Sequence, residues 1–342
     1  MINGVPRILI IRLSAIGDVV RVLPALHALR NRFPNAQIDW AIEPKSLEAV
    51  SGNPALDQCL VFERVPNKKD STRALLRFCR QVRQAQYDIV LDFHGIFKSG
   101  LITRASGAPK RYGFTAPRAQ ELSYLATNQR VPLLSPRMNR IEENLELCKF
   151  LGARSPNLEV TIHVPEDIQA DVDDYLHQIL DSGKKLIAVH APVDRPEKQW
   201  PLEYFAELCD LLLADGRYEV LLTWGPGQLE VAEKVRELTR RKPEVAPETP
   251  GLKHYAWMVQ RADLYFGGDT GPMHIASAMG VPVVAVFGGT DPAKHSPLRP
   301  PCEVLYAGPE PPPKSMDLAA AEAALRAISP DTAYEACLRL AR

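Results

Sequence analysis

The chain has 342 residues, 46% of them hydrophobic, with 41 Lys and Arg balancing 41 Asp and Glu. This length and apolar content favour two α/β domains over one. No apolar run approaches the ~20 residues of a membrane span and the N-terminus lacks a signal-peptide pattern, so we expect a cytoplasmic protein, at most peripheral to the inner membrane. The six cysteines lack Cys-x-x-Cys spacing, which argues against disulfides and structural zinc.

The zero net charge hides an asymmetry between the two halves. Residues 1–155 carry 23 Lys and Arg against 13 Asp and Glu, whereas residues 156–342 carry 18 against 28. A basic half joined to an acidic half predicts that the first domain meets an anionic partner.

Short β-branched runs alternate with helical patterns along the first half, which predicts a parallel sheet with helices on both faces. We expect strands at residues 7–13, 37–42, 60–62 and 89–93, and helices at 19–33 and 71–85.

The second half repeats this rhythm as a second doubly wound unit. We expect strands at residues 186–191, 219–224, 264–267 and 283–287, and helices at 166–180, 202–214, 229–239 and 272–279. Ser155 and Pro156 suggest a hinge, so we place the domains at 1–160 and 161–315. A tail at 316–342, with helices at 317–327 and from Ser329-Pro330, is expected to pack back across the lobes.

The sequence SAIGD at residues 14–18 separates the first strand from the first helix. Loops at the carboxyl ends of parallel strands form the ligand crevice, and Asp18 stands at a helix start that favours a carboxylate. The plainer alternative is that Asp18 only caps the helix.

The sequence DTGPMH at residues 269–274 follows a strand and opens a helix that Gly280 and Pro282 end. Pro272 suits the first helical position, and the free N–H groups of the first turn suit a diphosphate. Alternatively this is a capped helix without a ligand, and His274 is a satisfied buried histidine.

Two further loops lie at the same predicted edge of the second sheet. Residues 194–201 place Arg195 and Lys198 where they could neutralise phosphate, unless the loop is only solvated. The turn at residues 225–228, ending in Gln228, lets a ligand approach the backbone. Neither G-x-G-x-x-G nor G-x-x-x-x-G-K-[ST] occurs, which argues against NAD dehydrogenases and P-loop hydrolases.

A basic run in the first half includes Arg64, Lys68, Lys69 and Arg83, and Arg73, Arg77 and Arg80 share one helical face within it. Such a face is either solvated surface or a binding surface for a phosphorylated acceptor. No nucleic-acid recognition motif accompanies it, so we expect no nucleic-acid partner.

Three motifs together resemble the lipopolysaccharide heptosyltransferases of glycosyltransferase family nine, most nearly heptosyltransferase I. They are residues 8–19 with 23–26, the sequence DFHG at 92–95 with Lys98 and Ser99, and GDTGPMH at 268–274. The resemblance runs to about residue 291.

The resemblance implies a GT-B fold, α/β with two Rossmann-like domains facing across a cleft. It implies transfer of heptose from ADP-heptose to the Kdo and inner-core region of lipopolysaccharide, with inversion and without metal or cofactor. By resemblance Asp18 is the base, and Lys198 is the phosphate-binding lysine of a K-x-W-P motif. The residues expected to bind the donor are Asp269, Thr270, Gly271, His274, Gln228 and Arg195. The residues expected to bind the acceptor are Ser14, Lys98, Arg73, Arg77 and Arg80.

Two departures bear on the donor. Residues 192–196 read PVDRP where relatives usually carry hydroxyl residues, and Gln228 stands where many carry a nucleotide-contacting glutamate. The alternatives are therefore a transferase using a UDP- or GDP-sugar, and a nucleotide-sugar-binding protein without catalysis, which would not need Asp18.

Overall fold

The computed structural model describes residues 5–65, 67–154, 158, 160, 162–180, 183–299, 301–313 and 316–341. The chain divides into two compact units, Met1–His163 (unit 1) and Val164–Arg342 (unit 2). The expected hinge at Ser155 and Pro156 lies outside the described residues.

Unit 1 is built on a six-stranded parallel sheet with the order β3-β2-β1-β4-β5-β6. Its strands are β1 (Arg7–Ile11), β2 (Gln37–Ile42), β3 (Gln58–Val61), β4 (Ile89–Asp92), β5 (Lys110–Phe114) and β6 (Gln129–Val131). Its helices are α1 (Ile16–Val20), α2 (Leu23–Arg32), α3 (Lys68–Gln84), α4 (Phe97–Ala105) and α5 (Arg140–Lys149), with 3₁₀ helices at Pro44–Ala49 and Ser123–Ala126.

Unit 2 is built on a second six-stranded parallel sheet, ordered β12-β11-β10-β7-β8-β9. Its strands are β7 (Lys185–His190), β8 (Tyr218–Thr223), β9 (Glu244–Val245), β10 (Leu264–Gly268), β11 (Val283–Phe287) and β12 (Cys302–Tyr306). Its helices are α6 (Glu166–Ile179), α7 (Leu202–Asp215), α8 (Leu229–Leu238), α9 (Leu252–Gln260), α10 (Gly271–Ala278), α11 (Pro292–His295), α12 (Leu318–Arg326) and α13 (Pro330–Leu340), with a 3₁₀ helix at Pro196–Lys198.

The two sheets share one topology. When the strands of each unit are renumbered in chain order, both sheets read 3-2-1-4-5-6, the Rossmann order. Their central strands are continuous apolar runs because both faces are covered, and β1 is buried from Ile8 to Ile11. The predicted fold class, two Rossmann-like α/β domains, is confirmed.

The predicted helix at 19–33 is wrong in one respect, because the structure has two helices there, α1 and α2. The break at Arg21 and Val22 precedes Pro24, which lies in the first turn of α2. Proline lacks an N–H donor and clashes with the preceding turn, so it fits a helix start better than a helix interior.

The tail helices pack on unit 2. α13 lies against α7 and β11, and α12 lies against the 3₁₀ helix at Pro196–Lys198. The buried Trp200 donates its indole N–H to the Ile328 carbonyl at 3.0 Å. Ser329 caps α13 by accepting from the Thr332 N–H at 3.1 Å, as its sequence predicts. The unit 2 core therefore includes the tail.

Among the helices that the structure describes, none combines the length and the apolar composition needed to cross a membrane.

Candidate active site

The candidate residues lie at the switch points of the two sheets. In a doubly wound sheet, ligands bind outside the carboxyl ends of the strands where the strand order reverses. That point lies between β1 and β4 in unit 1 and between β7 and β10 in unit 2. Asp18 follows β1, whereas Lys198 and Asp269 follow β7 and β10, so each unit places polar side chains at its own ligand-binding edge.

Asp18 lies within α1 and is held by two arginines. Its carboxylate forms ion pairs with Arg12 and Arg21, and its side chain remains 35% exposed. The N-cap position of α1 belongs to Ala15, so the interpretation of Asp18 as that cap is wrong. Two opposite charges favour the ionised carboxylate, which is the form that accepts a proton.

The arginines that hold Asp18 are themselves fixed by the fold. Arg12 donates to the Phe93 carbonyl at 3.2 Å, and Arg21 donates to the Gly17 carbonyl at 3.4 Å. Burial lowers the pKa of Arg12 to about 10 although Asp18 opposes the shift, so Arg12 stays charged at neutral pH. Neither arginine is among the site residues expected from the sequence, yet Arg21 follows Asp18 at the i,i+3 spacing of helical ion pairs.

A second pair of arginines adjoins this cluster. Arg118 donates to the carbonyls of His94 at 3.2 Å and Phe93 at 3.0 Å, and it shares the buried Glu143 with Arg140. Arg118 and Asp18 are close enough to interact electrostatically. Four guanidinium groups thus accompany three carboxyl groups at this edge, those of Asp18, Glu143 and Asp92, and the excess of positive charge suits an anionic ligand.

His94 and Asp92 are the two polar residues of the DFHG motif. Its Nδ1 accepts from the Leu13 N–H at 3.2 Å. Burial, and then the charge of Arg12, lower its pKa to about 3, so the ring is neutral at physiological pH. The Asp92 carboxylate accepts from the N–H groups of His94 and Gly95 at 3.0 and 2.9 Å, and this fixes the loop after β4.

The expected acceptor residues are spread over unit 1. Ser14 follows β1 and is joined to Ala15 by a cis peptide bond. The Lys98 ammonium lies 3.4 Å from a Glu43 carboxylate oxygen and 5.3 Å from the centre of the Phe62 ring.

The basic residues of α3 lie on the helix that connects β3 to β4. Arg73, Arg77 and Arg80 are exposed on α3, and Arg73 lies 3.5 Å from Asp70. The side chains of Lys68 and Lys69 lie outside the described residues.

Lys198 and Asp269 form the central contact of the unit 2 edge. The Lys198 ammonium donates to the Asp269 carboxylate at 2.7 Å and to the Asp269 backbone carbonyl at 2.8 Å. Thr290, which sequence reasoning missed because it lies beyond β11, donates to the same carboxylate at 2.9 Å. Three loops of the sheet edge therefore meet at Asp269.

Asp269 is ionised although it is almost fully buried. Burial alone would raise its pKa, but the charges of Lys198, His295 and His274 lower the pKa below its ordinary value. The negative charge of Asp269 fixes the ammonium group of Lys198 beside the start of α10.

The start of α10 has the features of an anion site. Thr270 is its N-cap residue, and Gly271 and Pro272 are its first two residues, one position later for Pro272 than predicted. The Thr270 hydroxyl does not cap the helix but donates to the Gly268 carbonyl at 3.4 Å. This arrangement leaves the N–H groups of the first turn for a ligand. His274 lies in the same helix and is buried.

The other two expected donor residues lie on neighbouring loops. The Gln228 amide oxygen accepts from the Gly225 N–H at 3.2 Å and closes the turn after β8. Arg195 is exposed and pairs with Glu197 at 3.2 Å.

Within the part of the chain that the structure describes, no group of three or more His, Cys, Asp or Glu side chains could hold a metal ion.

Comparison with known proteins decides the family. The profile of glycosyltransferase family 9 (heptosyltransferase) matches residues 75–321, well over half of the chain. The chain belongs to glycosyltransferase family 9. The matched segment includes Lys198 and Asp269, whereas Asp18 precedes it.

Relatives extend the family 9 likeness toward both ends of the chain. Lipopolysaccharide heptosyltransferase 1 of Escherichia coli K12 is 28% identical over 294 residues, which cover 84% of this chain and 89% of the relative. The core heptosyltransferase OpsX of Haemophilus influenzae is 24% identical over 294 residues, covering 85% and 80%. The structure of E. coli heptosyltransferase WaaC with ADP-2-deoxy-2-fluoro heptose superposes with a TM-score of 0.73 at 24% identity, covering 96% and 98%.

Membership in family 9 confirms the resemblance read from the three motifs. It also establishes that the protein is a glycosyltransferase, which excludes the alternative of a binding protein without catalysis.

Proposed function

We propose that this enzyme transfers heptose from ADP-heptose to the Kdo and inner-core region of lipopolysaccharide, with inversion at the anomeric carbon. The observation that carries the proposal is the Lys198 ammonium held beside the first turn of α10 at the unit 2 switch point. A cation beside free helix N–H groups is a site for a diphosphate. The relatives named above as heptosyltransferases, and the ADP-sugar analogue in the WaaC structure, support heptose and ADP.

The donor is assigned to unit 2. The Lys198 ammonium carries three N–H groups, and Asp269 accepts hydrogen bonds from two of them. The third N–H group is assigned to the diphosphate. The N–H groups around Thr270 and Gly271 bind the same phosphates. Asp269 holds Lys198 at the donor site, and His274 lies within α10 behind its first turn. Gln228 and Arg195 flank the site on the loops after β8 and β7.

The acceptor is assigned to unit 1. Lipopolysaccharide core sugars are acidic. Two arginines pair with Asp18 and two more pair with Glu143 at the same edge, and together they supply the positive charge that such an acceptor needs. Ser14 and Lys98 belong to the two sequence motifs of this edge, and we assign them to the acceptor as well. Arg73, Arg77 and Arg80 on α3 attract the anionic acceptor through their positive charge.

The chemistry is a single displacement. The acceptor hydroxyl gives its proton to the Asp18 carboxylate, and its oxygen forms a bond to the anomeric carbon as the bond from that carbon to the diphosphate breaks. ADP leaves with the bonding electrons, and its new negative charge is stabilised by Lys198 and the first turn of α10. The charge of the leaving group is balanced by these groups without a divalent ion.

The test is mass spectrometry of products after incubation with ADP-heptose and a deacylated Kdo-lipid acceptor. We expect the acceptor to gain the mass of one heptose, and nuclear magnetic resonance to show an anomeric configuration opposite to that of the donor. ADP-, UDP- and GDP-sugars are supplied in parallel. Turnover with a UDP- or GDP-sugar but none with ADP-heptose would overturn the donor assignment, and retention would overturn the single displacement.

A further inference from the structure

Four large apolar side chains of unit 1 are exposed to solvent. They are Phe97 (57% exposed), Leu101 (39%), Leu122 (62%) and Leu125 (63%), and we refer to them as the apolar patch. Exposed apolar side chains are unremarkable singly, but a group on adjoining elements marks a surface that meets a partner or a membrane.

The patch residues lie on two elements that pack together. Phe97 and Leu101 are four residues apart on α4, so they share a helical face. Leu122 immediately precedes the 3₁₀ helix Ser123–Ala126, and Leu125 lies within it. α4 packs against this 3₁₀ helix so closely that a Cβ on Gly100 would lie 3.2 Å from the Ser123 Cα.

Hydrogen bonds fix the two elements in place. The Phe97 N–H donates to the Glu121 carboxylate at 2.9 Å, and the Gln120 N–H donates to the Gly95 carbonyl at 2.8 Å. The apolar patch is therefore a surface held by the fold.

Arginines border the patch, and we refer to Arg104, Arg111 and Arg130 as the basic rim. Arg111 donates to the Ala126 carbonyl at 2.8 Å, and Arg130 donates to the Tyr124 carbonyl at 3.0 Å, so both flank the 3₁₀ helix. Arg104 lies on α4 three residues after Leu101, so it adjoins the patch on the same helical face. Burial, and then the charge of Arg104, lower the pKa of Arg111.

The charge around the patch has one dominant sign. From residue 97 to residue 130 the chain carries six Lys or Arg residues against one carboxylate, Glu121. Two copies of the chain that met symmetrically through the patch would bring basic rim against basic rim, which is unfavourable. A bilayer with anionic lipids offers an apolar layer beneath a negative surface, and so complements both parts.

We propose that the apolar patch and the basic rim dock unit 1 on the surface of an anionic lipid bilayer. Phe97, Leu122 and Leu125 enter the boundary between headgroups and acyl chains, while the guanidinium groups contact the headgroup phosphates. This inference does not rest on the proposed donor or acceptor.

The test is co-sedimentation of the full chain with vesicles of phosphatidylcholine alone, or of phosphatidylcholine and phosphatidylglycerol in equal parts. We expect binding to the anionic vesicles only, weakened by salt. The triple variant Phe97→Gln, Leu122→Gln, Leu125→Gln should lower the partition coefficient by about tenfold or more, since binding scales with buried apolar area. The matched control replaces exposed leucines of unit 2: Leu229→Gln, Leu238→Gln, Leu318→Gln.

A second variant, Arg104→Gln with Arg130→Gln, should weaken binding at low salt and leave the apolar contribution at high salt. It keeps the test decisive should the triple variant fail to fold. Equal partition of wild type and both variants, or no binding to anionic vesicles, would overturn the proposal. So would a dimer in light scattering that the triple variant dissociates, because a second copy would then cover the patch. Turnover of a deacylated acceptor should be unchanged in these variants, which separates this inference from the proposed reaction.

Discussion

Asp18 forms ion pairs with Arg12 and Arg21, and we propose its carboxylate as the base. Asp18→Asn keeps the shape and removes the basicity, so we expect kcat to fall by at least ~10²-fold, the usual scale for a positioned base. The Kd for ADP should stay the same because Lys198 and α10 are unaltered. Steady-state kinetics and calorimetric titration with ADP measure the two quantities.

The control for Asp18→Asn is Asp171→Asn, a change of the same chemistry on the exposed face of α6. Thermal unfolding must show that both variants fold. A near wild-type kcat in folded Asp18→Asn would mean that the carboxylate only fixes the two arginines, and that the base lies elsewhere.

Lys198 should leave a different kinetic trace, since its ammonium is assigned to the diphosphate in ground and transition states alike. Lys198→Ala should weaken ADP binding by roughly 10- to 100-fold, the value of a lost charged hydrogen bond, and should also lower kcat. It also leaves Asp269 buried without its main counter-charge, which is destabilising.

The double variant Lys198→Ala, Asp269→Asn separates these effects because it removes both charges. We expect it to regain thermal stability but not ADP affinity. Recovery of ADP binding in the double variant would show that the lysine serves only to balance Asp269.

The sequence revealed the loops of the site better than the contacts within them. Asp18, Lys198 and Asp269 could be predicted because each follows a recognisable strand in a loop rich in Gly, Pro and charge. Thr290 could not, because parallel strand pairing brings it to Asp269 from another loop of the same edge. Arg12 is close to Asp18 in sequence, but it lies within the expected strand at residues 7–13 and so gave no sign of a role in the site. The ion pair of Lys198 with Asp269 spans 71 positions and has no local signal.

At the scale of elements, the end of β7 holds a buried neutral histidine. The His190 Nδ1 lies 3.0 Å from the Thr223 hydroxyl, and burial lowers its pKa to about 3. The ordinary pKa is ~6.5, so between these values the unfolded chain binds a proton that the folded chain excludes. Stability from this group is complete above about pH 6.5 and is lost as the pH falls toward 3.

We therefore expect acidification from pH 7 to 5 to lower the Tm of unit 2 more in the wild type than in His190→Gln. Between pH 7 and pH 5 the free energy of unfolding should fall by on the order of 1–2 kcal/mol more in the wild type than in the variant. Each pH unit in this window changes that free energy by up to ~1.4 kcal/mol. Scanning calorimetry at both pH values measures it. Equal changes in Tm would show that His190 is protonated in the folded state.

The close packing of α13 gives a second prediction for an element. Ala333, Ala336 and Cys337 are fully buried where α13 meets α7 and the sheet. Ala336→Leu should lower the free energy of unfolding by about 1–3 kcal/mol through overpacking. Ala323→Leu on the exposed side of α12 is the control and should stay within ~0.5 kcal/mol of wild type. Equal urea midpoints for the two variants would contradict this packing.

Strands that are apolar runs could be predicted, and a strand that begins with charged residues could not. β1, β7 and β11 are apolar runs, whereas β5 starts with Lys110 and Arg111 and gave no signal. β5 and β6 form because neighbouring strands supply hydrogen-bond partners, which is a tertiary effect that overrides propensity.

For the whole molecule, the basic character of the first half makes a prediction about the acceptor. Replacing Arg73, Arg77 and Arg80 together by Gln should raise KM for an anionic acceptor several-fold at low salt. The effect should shrink as salt screens the charges, and the Kd for ADP should not change. The control replaces exposed arginines of the acidic half: Arg240, Arg241 and Arg326. An equal KM at low salt would show that α3 is only solvated surface.

The repeated strand order has a consequence for how such enzymes diversify. Each unit has a complete sheet and its own ligand-binding edge, and the division between them falls at one place in the chain, between His163 and Val164. A single genetic crossover at that place would exchange the whole of unit 2, and on the proposed assignment this would bring a new sugar nucleotide to an unchanged acceptor. New specificities could then arise by recombination between family members, without a long series of point mutations in the sheet edge.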